Sequence, residues 1–435
     1  MCINMIRLRP WNRPGFIVCA ALAAAISQPV IASASCVNPG GTGVCFTSIN
    51  AAIAATFPGG LVRVAPGTYK EDVIIGKPLS LIGSGASVTT IDATGLSNAI
   101  YVDGLNNRGL RNVTVTGFTA KNANYEGILV TNAVNVMISW NTVTGNNVLF
   151  DFADETCPGQ PPFETGEDFD CGEGMHIMGV SFSTITHNVS ANNSGGLLIS
   201  DDTGTTHDNL IASNVIKDNV YDCGITLASH APGPGSTAPH NGILRNVISN
   251  NTSQGNGTIG EGAGLGIFSD GSGIGLVSGN IVTTNELLDN GIPGVAFHSH
   301  VGPNFGLPAD NLNGNYIINN HISGNGADTG DTATPGPTGI NLNSGMGGSP
   351  ITGTVIWGNK IENESVDIAV NTPAKAAANF NSLLGGDIGV ANLGSGSVDA
   401  TNNYWGCIAG PTSSKCSSIS GPNVTFIPFL PFPFL

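Results

Sequence analysis

The chain is poor in charge, in cations and in aromatic rings. Only 10% of its 435 residues are Asp, Glu, Lys or Arg, 6% are aromatic, and Lys and Arg number 14 against 30 Asp and Glu. So few cations exclude a phosphate-tracking surface, and nucleic acid and anionic membranes are poor partners. Long apolar runs are missing beyond residue 26, so no later segment predicts a transmembrane helix. Two-residue hairpin turns are sparse, which argues against a propeller or a sandwich. Glycine is abundant, at 61 residues, in a chain that is still 40% hydrophobic. That combination is too apolar for disorder and predicts a folded, turn-rich protein.

The first residues set the compartment. Arg7, Arg9 and Arg13 precede an apolar run from Phe16 to Ile26, and Ala32, Ser33 and Ala34 offer the small residues of a cleavage site, so residues 1–34 read as a signal peptide. The run is too short to span a bilayer, which favours removal over anchoring. The expectation is a secreted or periplasmic protein. Cleavage removes three basic residues and no acidic one, leaving 11 Lys and Arg against 30 Asp and Glu, a net charge of −19. In an oxidising compartment six of the remaining seven cysteines predict short-range disulfides: Cys36 with Cys45, Cys157 with Cys171, and Cys407 with Cys416. Cys223, the seventh, reads as a small buried residue beside a strand, because nothing nearby is basic enough to make it a thiolate.

A repeated unit dominates the rest. The pattern Gly-φ-x-φ-x, with φ apolar, starts at Gly127, Gly174, Gly196, Gly224, Gly264, Gly294 and Gly339, and recurs without its glycine at Asp367. Second and fourth positions are apolar throughout, while third and fifth are mostly small or polar, the period-2 signature of a strand with one buried face. Asparagine forms a second pattern. Asn141, Asn188, Asn214, Asn246, Asn285, Asn320 and Asn359 precede short apolar stretches, and all but the last are followed five residues on by Asn146, Asn193, Asn219, Asn251, Asn290 and Asn325. Stacked asparagines at the turns of a coil bond from rung to rung.

The shortest interval between first elements, 22 residues, holds three short strands and their turns, so longer intervals carry loops. Each strand then pairs with its counterpart one rung away, the sheets are parallel, and crossover handedness makes the coil right-handed. The predicted fold class is all-β: a single-stranded right-handed parallel β-helix over residues 59–405, with an N-terminal cap at 35–58 and a C-terminal cap and tail at 406–435. In the N-terminal cap Ile49 and Ile53 lie one helical turn apart behind Thr47 and Ser48, which predicts a short capping helix. The proline-rich tail from Phe426 to Leu435 predicts an apolar strip over the last rungs or sides.

The stretch Gly59-Gly-Leu-Val-Arg-Val-Ala-Pro-Gly-Thr-Tyr69, followed by Val73-Ile-Ile75 and Leu79-Ser-Leu-Ile-Gly83, resembles the opening rungs of the pectin-lyase-like superfamily. The Asn-rich repeats are similar to its broad β-helix repeat group, which includes the family of the copper-maturation protein NosD. The resemblance implies the fold over nearly all the chain after residue 34. It does not select an activity, because that fold carries pectate lyases, polygalacturonases, alginate epimerases, adhesins and phage tailspikes. Ser200-Asp-Asp-Thr203, with Ser229 and His230 one rung later, resembles part of the polygalacturonase motif series, but the Asn-Thr-Asp and Arg-Ile-Lys rungs are missing. No Arg or Lys stands at a ladder position as a pectate lyase base would, and the Asp-Pro-His-Asp run of alginate epimerases is absent.

Aligned, the repeats show which side chains face outward. Positions three and five supply His176, Ser200, Thr226, His298, Asn341 and Asn343, and position seven supplies Asp202, His230, Asp270 and His300 on consecutive rungs. At a strand separation of roughly 4.8 Å each histidine of such a column would sit between carboxylates, which raises its pKa and suits it to general acid–base work or to a metal site. Asp202, His230, Asp270, His298 and His300 are the candidate catalytic groups, with Glu173, His176, Ser200, Thr226, Asn341 and Asn343 as candidate groove residues. Four solvated turn residues would give the same pattern.

Insertions at 148–173, 231–240, 301–313 and 326–338 are placed to wall a groove. The first carries Asp151, Asp154, Glu155, Glu164, Glu167, Asp168 and Asp170, oxygen donors of the kind Ca²⁺ prefers, but no spaced calcium-loop motif. Ca²⁺ is therefore the one candidate cation, and no motif requires a cofactor. His187, His207, His240 and His321 receive no role. The function expected is binding of a polysaccharide, extended to lyase, epimerase or hydrolase chemistry. The alternatives are a non-catalytic surface scaffold or adhesin and, on the NosD resemblance, periplasmic metal handling.

Overall fold

The computed structural model describes residues 34–434 apart from 152, 154–156, 162, 164–172, 231–241, 270–274, 300–309, 331 and 346–348. Among the described residues the strands form sheets of 14, 11, 12 and 3 strands. One rung runs through Val134–Ser139 in the first sheet, Thr142–Thr144 in the second and Met175–Met178 in the third. Each strand pairs in parallel with its counterpart one rung away; Ile128–Thr131, Met175–Met178 and Leu197–Ser200 stack in unbroken register. The chain is a right-handed parallel β-helix, as its repeats predict.

The apolar positions of the repeat fill the coil. Ile128, Met175, Leu197, Ile225, Leu265, Val295 and Ile340 lie in register, all buried, and belong to one core that runs from Val37 to Trp405. Each such side chain contributes roughly 1.5–3 kcal/mol on burial. The repeat glycines have a steric cause: a Cβ on Gly127 would stand 2.2 Å from Val143 Cγ1, and one on Gly174 would stand 2.1 Å from Ser190 Oγ.

Asparagine side chains form three columns. In the first, Asn141, Asn188, Asn214, Asn251, Asn285, Asn320, Asn359, Asn381 and Asn403 stack, each donating from its backbone N–H and Nδ2 to Oδ1 of the next. The second runs Asn146, Asn193, Asn219, Asn256, Asn290 and Asn325 and ends on Glu364. A third holds Asn209, Asn246, Asn280 and Asn315. The expected assignment of Asn246 and Asn251 is therefore one step out. Asparagines recur at intervals of five within a rung, as at 209, 214 and 219, so spacing alone leaves the register open.

The residue before each first-column asparagine takes the left-handed conformation, with φ of 54° to 57° at Trp140, His187, Ser213, Asn250 and Thr284. This is what turns the chain between first and second sheets.

The N-terminal capping helix is present as expected. Helix Ile49–Ala55 buries Ile49, Ala52 and Ile53 against the first rungs, with Ser48 Oγ accepting from Ala51 N–H at its start. Cys36–Cys45 and Cys407–Cys416 are disulfides; Cys157 is buried, and its expected partner Cys171 lies outside the described residues. The tail folds back along the coil, Phe429 against the core and Phe434 on Trp357 and Phe380. No described helix is long and apolar enough to cross a membrane.

Candidate functional site

The third sheet differs from the other two. Strands such as Thr184–Thr186 and Ile281–Thr283 alternate buried and half-buried residues, but Ile128–Thr131, Met175–Met178, Leu197–Ser200, Ile225–Ser229 and Val295–Ser299 are buried on both faces. The outward positions read as an open ladder are thus covered. Part of the cover is visible at one end, where Asn341 Nδ2 donates to Thr332 Oγ1 at 2.8 Å and Asn343 Nδ2 to the Thr332 carbonyl at 3.4 Å. These two candidate groove residues hold the 326–338 insertion down.

A connected set of polar side chains occupies the middle. His176 and Ser200 come from adjacent strands, in columns two residues apart, and His176 Nε2 lies 2.8 Å from Ser200 Oγ. Ser200 donates to Asp202 Oδ2, and His230 Nδ1 lies 3.4 Å from the same oxygen. At the other end Glu126 Oε1 is 3.6 Å from His176 Nδ1. The five residues are at most 3% exposed. Register survives the turn for this pair: Asp202 and His230, at position seven of successive rungs, do meet.

Electrostatics follow from burial and pairing. Burial pushes the Asp202 carboxyl up, but the positive charge and hydrogen bond of His230, the charge of His176 and the Ser200 hydroxyl outweigh it, holding the group below the ordinary carboxylate value.

A second carboxylate fixes the turn. Asp201 accepts from Ser229 Oγ, the His230 N–H and the Gly242 N–H, each at 2.9 Å, and thereby sets the backbone that aims His230. Asp310 does the same farther along, accepting from Ser269 Oγ at 3.0 Å and the Gly275 N–H at 2.9 Å.

The remaining candidates are dispersed. His298 is in register with Phe268 and packs on its ring at 4.3 Å between centroids; with Ala228 and then Ser200 on the preceding strands, it stands three strands from the Ser200 position. Thr226 lies between Leu198 and Gly266, buried. Glu173 is buried against Gly195, where a Cβ would fall 1.9 Å from its Oε2. Asp270 and His300 lie outside the described residues, as does most of the acidic insertion. Cys223 packs with Ala263, Ile292 and Ala296, and its sulfur accepts from the Ala263 N–H at 3.1 Å.

Glu126 was not singled out by the sequence. The signal was available: like Glu173, it directly precedes the glycine of a repeat, and the Gly127 N–H donates to the Glu173 carbonyl one rung on.

The sequence matches no family model and no curated protein sequence. Solved structures do resemble the chain. Dettilon tailspike protein aligns at TM-score 0.56 and 14% identity over 87% of this chain, which spans 64% of that one. The catalytic domain of a GH87 α-1,3-glucanase variant in complex with tetrasaccharides aligns at TM-score 0.54 and 13% identity, over 92% of this chain and 69% of that one. The catalytic unit of the GH87 α-1,3-glucanase from Streptomyces thermodiastaticus gives 0.50 and 14%, over 94% and 71%. At such identities the likeness speaks for architecture alone, and it agrees with the parallel rungs in making the chain a right-handed parallel β-helix.

Proposed function

We propose that this is a secreted or periplasmic protein that binds a polysaccharide over the third sheet and processes it, with His230 as the proton-bearing group and Asp202 as the carboxylate that keeps it protonated. The observation that carries the reading is the meeting of an ionised carboxylate, a serine hydroxyl and two imidazoles on three neighbouring strands. In such a chain His230 can give a proton to a leaving oxygen while Asp202, hydrogen-bonded by Ser200 and through it linked to His176, carries the balancing negative charge. Asp202, held below the usual carboxylate range, favours the imidazolium rather than acting as the base itself. Among lyase, epimerase and hydrolase chemistry the shared requirement is this proton transfer; Thr226, Glu173 and His298 are buried, and Asp270 and His300, which lie outside the described residues, stay candidates on the sequence alone.

Support for a glycan comes from the fold's neighbours, which include a tailspike and α-1,3-glucanases. Two disulfides fit an oxidising compartment. Among the described residues no three His, Cys, Asp or Glu side chains come together to hold a metal ion, so those residues lend the metal-handling reading no support.

A non-catalytic scaffold or adhesin is favoured by one observation, the burial of Asp202 and His230 to 1% exposure or less. The test is incubation with neutral and uronate glycans, read by ultraviolet absorbance for unsaturated ends, by reducing sugar, and by proton NMR for epimerisation. Turnover that falls at least 100-fold in His230→Ala and Asp202→Asn supports the acid–base reading. Silence on every glycan, with binding unchanged in both variants, sinks it.

A further inference from the structure

Far from the third sheet, the corner between first and second sheets carries a cavity of about 740 Å³ near the C-terminal end. Its floor is aromatic. Trp357 meets Phe434 of the tail at 4.8 Å between ring centroids, and Phe434 meets Phe380 at 5.4 Å. The tail is pinned there by reciprocal hydrogen bonds between Ser382 Oγ and the Phe434 backbone, at 3.1 and 3.2 Å.

One glycine lies at its edge. Gly358 stands in the left-handed column at φ 70°, between Asn319 and Phe380, and a Cβ there would fall 2.3 Å from Asn319 Oδ1. The Asn319 side chain and the Phe434 ring close in where that Cβ would stand.

One wall is polar and charged. His321 lies between Glu286 at 2.5 Å and Glu362 at 2.8 Å, and Lys360 donates to Glu362 at 2.7 Å. Glu286, His321 and Lys360 are in register on successive second-sheet strands, and Glu362 lies two residues beyond Lys360 on the same strand. The hydrogen bond from Lys360, opposed by partial burial and aided by His321, keeps the Glu362 carboxyl below its ordinary range.

We infer that this cavity is a second glycan site, taking a neutral pyranose unit against Trp357 and Phe434 with its hydroxyls on Lys360, which Glu362 and, through it, His321 hold in place. A pyranose has one face of C–H groups that suits an aromatic face, and a rim of hydroxyls that needs both donors and acceptors. The volume is that of a small-ligand site of roughly 300–1,000 Å³. A protein partner would need a far larger surface, of about 1,000 Å² or more. Charge selects within the class: Lys360 is already paired, and Glu286 and Glu362 repel a uronate. The site stands independently of the Asp202–His230 reading, since it shares neither sheet face nor residue with it.

The test is saturation-transfer NMR on the full chain with cellotetraose, mannotetraose and tetragalacturonate offered separately, alongside sedimentation of the chain alone. The expected result is transfer to the ring protons of at least one neutral probe and none to tetragalacturonate. Affinity for that probe should fall at least tenfold in Trp357→Ala and in the half-exposed variant His321→Ala, and stay unchanged in Trp140→Ala. Both variants are checked for an unaltered circular dichroism spectrum; His321→Ala decides if Trp357→Ala loses the fold. Silence with both neutral probes, preference for tetragalacturonate, or wild-type affinity in His321→Ala would overturn the inference. So would a dimer lost in Trp357→Ala, which assigns the cavity to a second copy. Failure here leaves the third-sheet proposal standing, because that proposal is read by turnover.

Discussion

Glu364 stands where the second asparagine column would place another amide, and its Oε1 accepts from both the backbone N–H of Asn325, at 3.1 Å, and its Nδ2, at 2.9 Å. Burial pushes this carboxyl up to about 7, against the pull of the Asn325 bonds and with help from Asp289. Asp367, which replaces the repeat glycine, is raised well above its ordinary value by burial and then by Glu364. A carboxyl raised in the folded state binds its proton longer than the unfolded chain does, so stability falls as pH rises from about 4.5 to 7. The loss is on the order of 3 kcal/mol for Glu364. Glu364→Gln keeps the acceptor and removes the titration. Melting at pH 5 should be close to wild type, and at pH 8 the variant should be the more stable.

Asp202 carries the opposite sign. Its pKa is depressed in the fold, so its contribution is present above the unfolded value of about 3.9 and is lost as acid brings the pH down through the folded value. Asp202→Asn should flatten the acid limb of a denaturant-midpoint profile. An unchanged acid limb would mean that the carboxyl is not held by His230 and His176.

The columns are predicted to be costly to interrupt. Asn251→Ala removes donors to the Ile211 carbonyl and to Asn285, both at 3.0 Å, and strands the Asn214 N–H and Nδ2 that it had accepted. Buried groups left without partners make this loss about 3–5 kcal/mol. Asn250→Ala, one residue away, removes an exposed side chain outside the column and should cost less, chiefly through its left-handed backbone. Urea titrations of the two variants check the contrast.

Glu71 closes the N-terminal end. It accepts from Ser48 Oγ and the Ile49 N–H at 2.8 Å and from the Asn50 N–H at 3.0 Å, using a carboxylate at a helix start. Glu71→Ala should release helix Ile49–Ala55 by about 1–3 kcal/mol. Hydrogen exchange should rise in residues 48–56 while protection at Ile199 and Leu227 stays unchanged.

The coil was legible because its periodicity is a packing constraint: apolar residues at positions two and four must fill the interior, and glycine must admit the neighbouring rung. Asp202 and His230 were legible for the same reason, being held by the regular spacing that follows each strand. The covering of the third sheet was not. It depends on insertions with no periodicity, and an outward residue reads the same whether a loop or water lies above it. Asn246 and Asn251 went to the wrong columns because three equivalent turns share one residue type. The cavity at Trp357 was invisible because it needs a tail residue, Phe434, 77 positions away in the sequence.

In the first asparagine column, up to its last rung, each backbone N–H and Nδ2 donates to the Oδ1 of the next rung, while each Nδ2 also reaches back to a carbonyl of the preceding rung, as from Asn141 to Val115 and from Asn403 to Ala378. The coil therefore has a growing end during synthesis. A rung just completed presents N–H groups that only the following rung can satisfy, and a half-made molecule ends in a sticky edge. At the last rung of the column Asn403 gives its Nδ2 to the Ala378 and Ala400 carbonyls, which leaves that amide satisfied without a further rung.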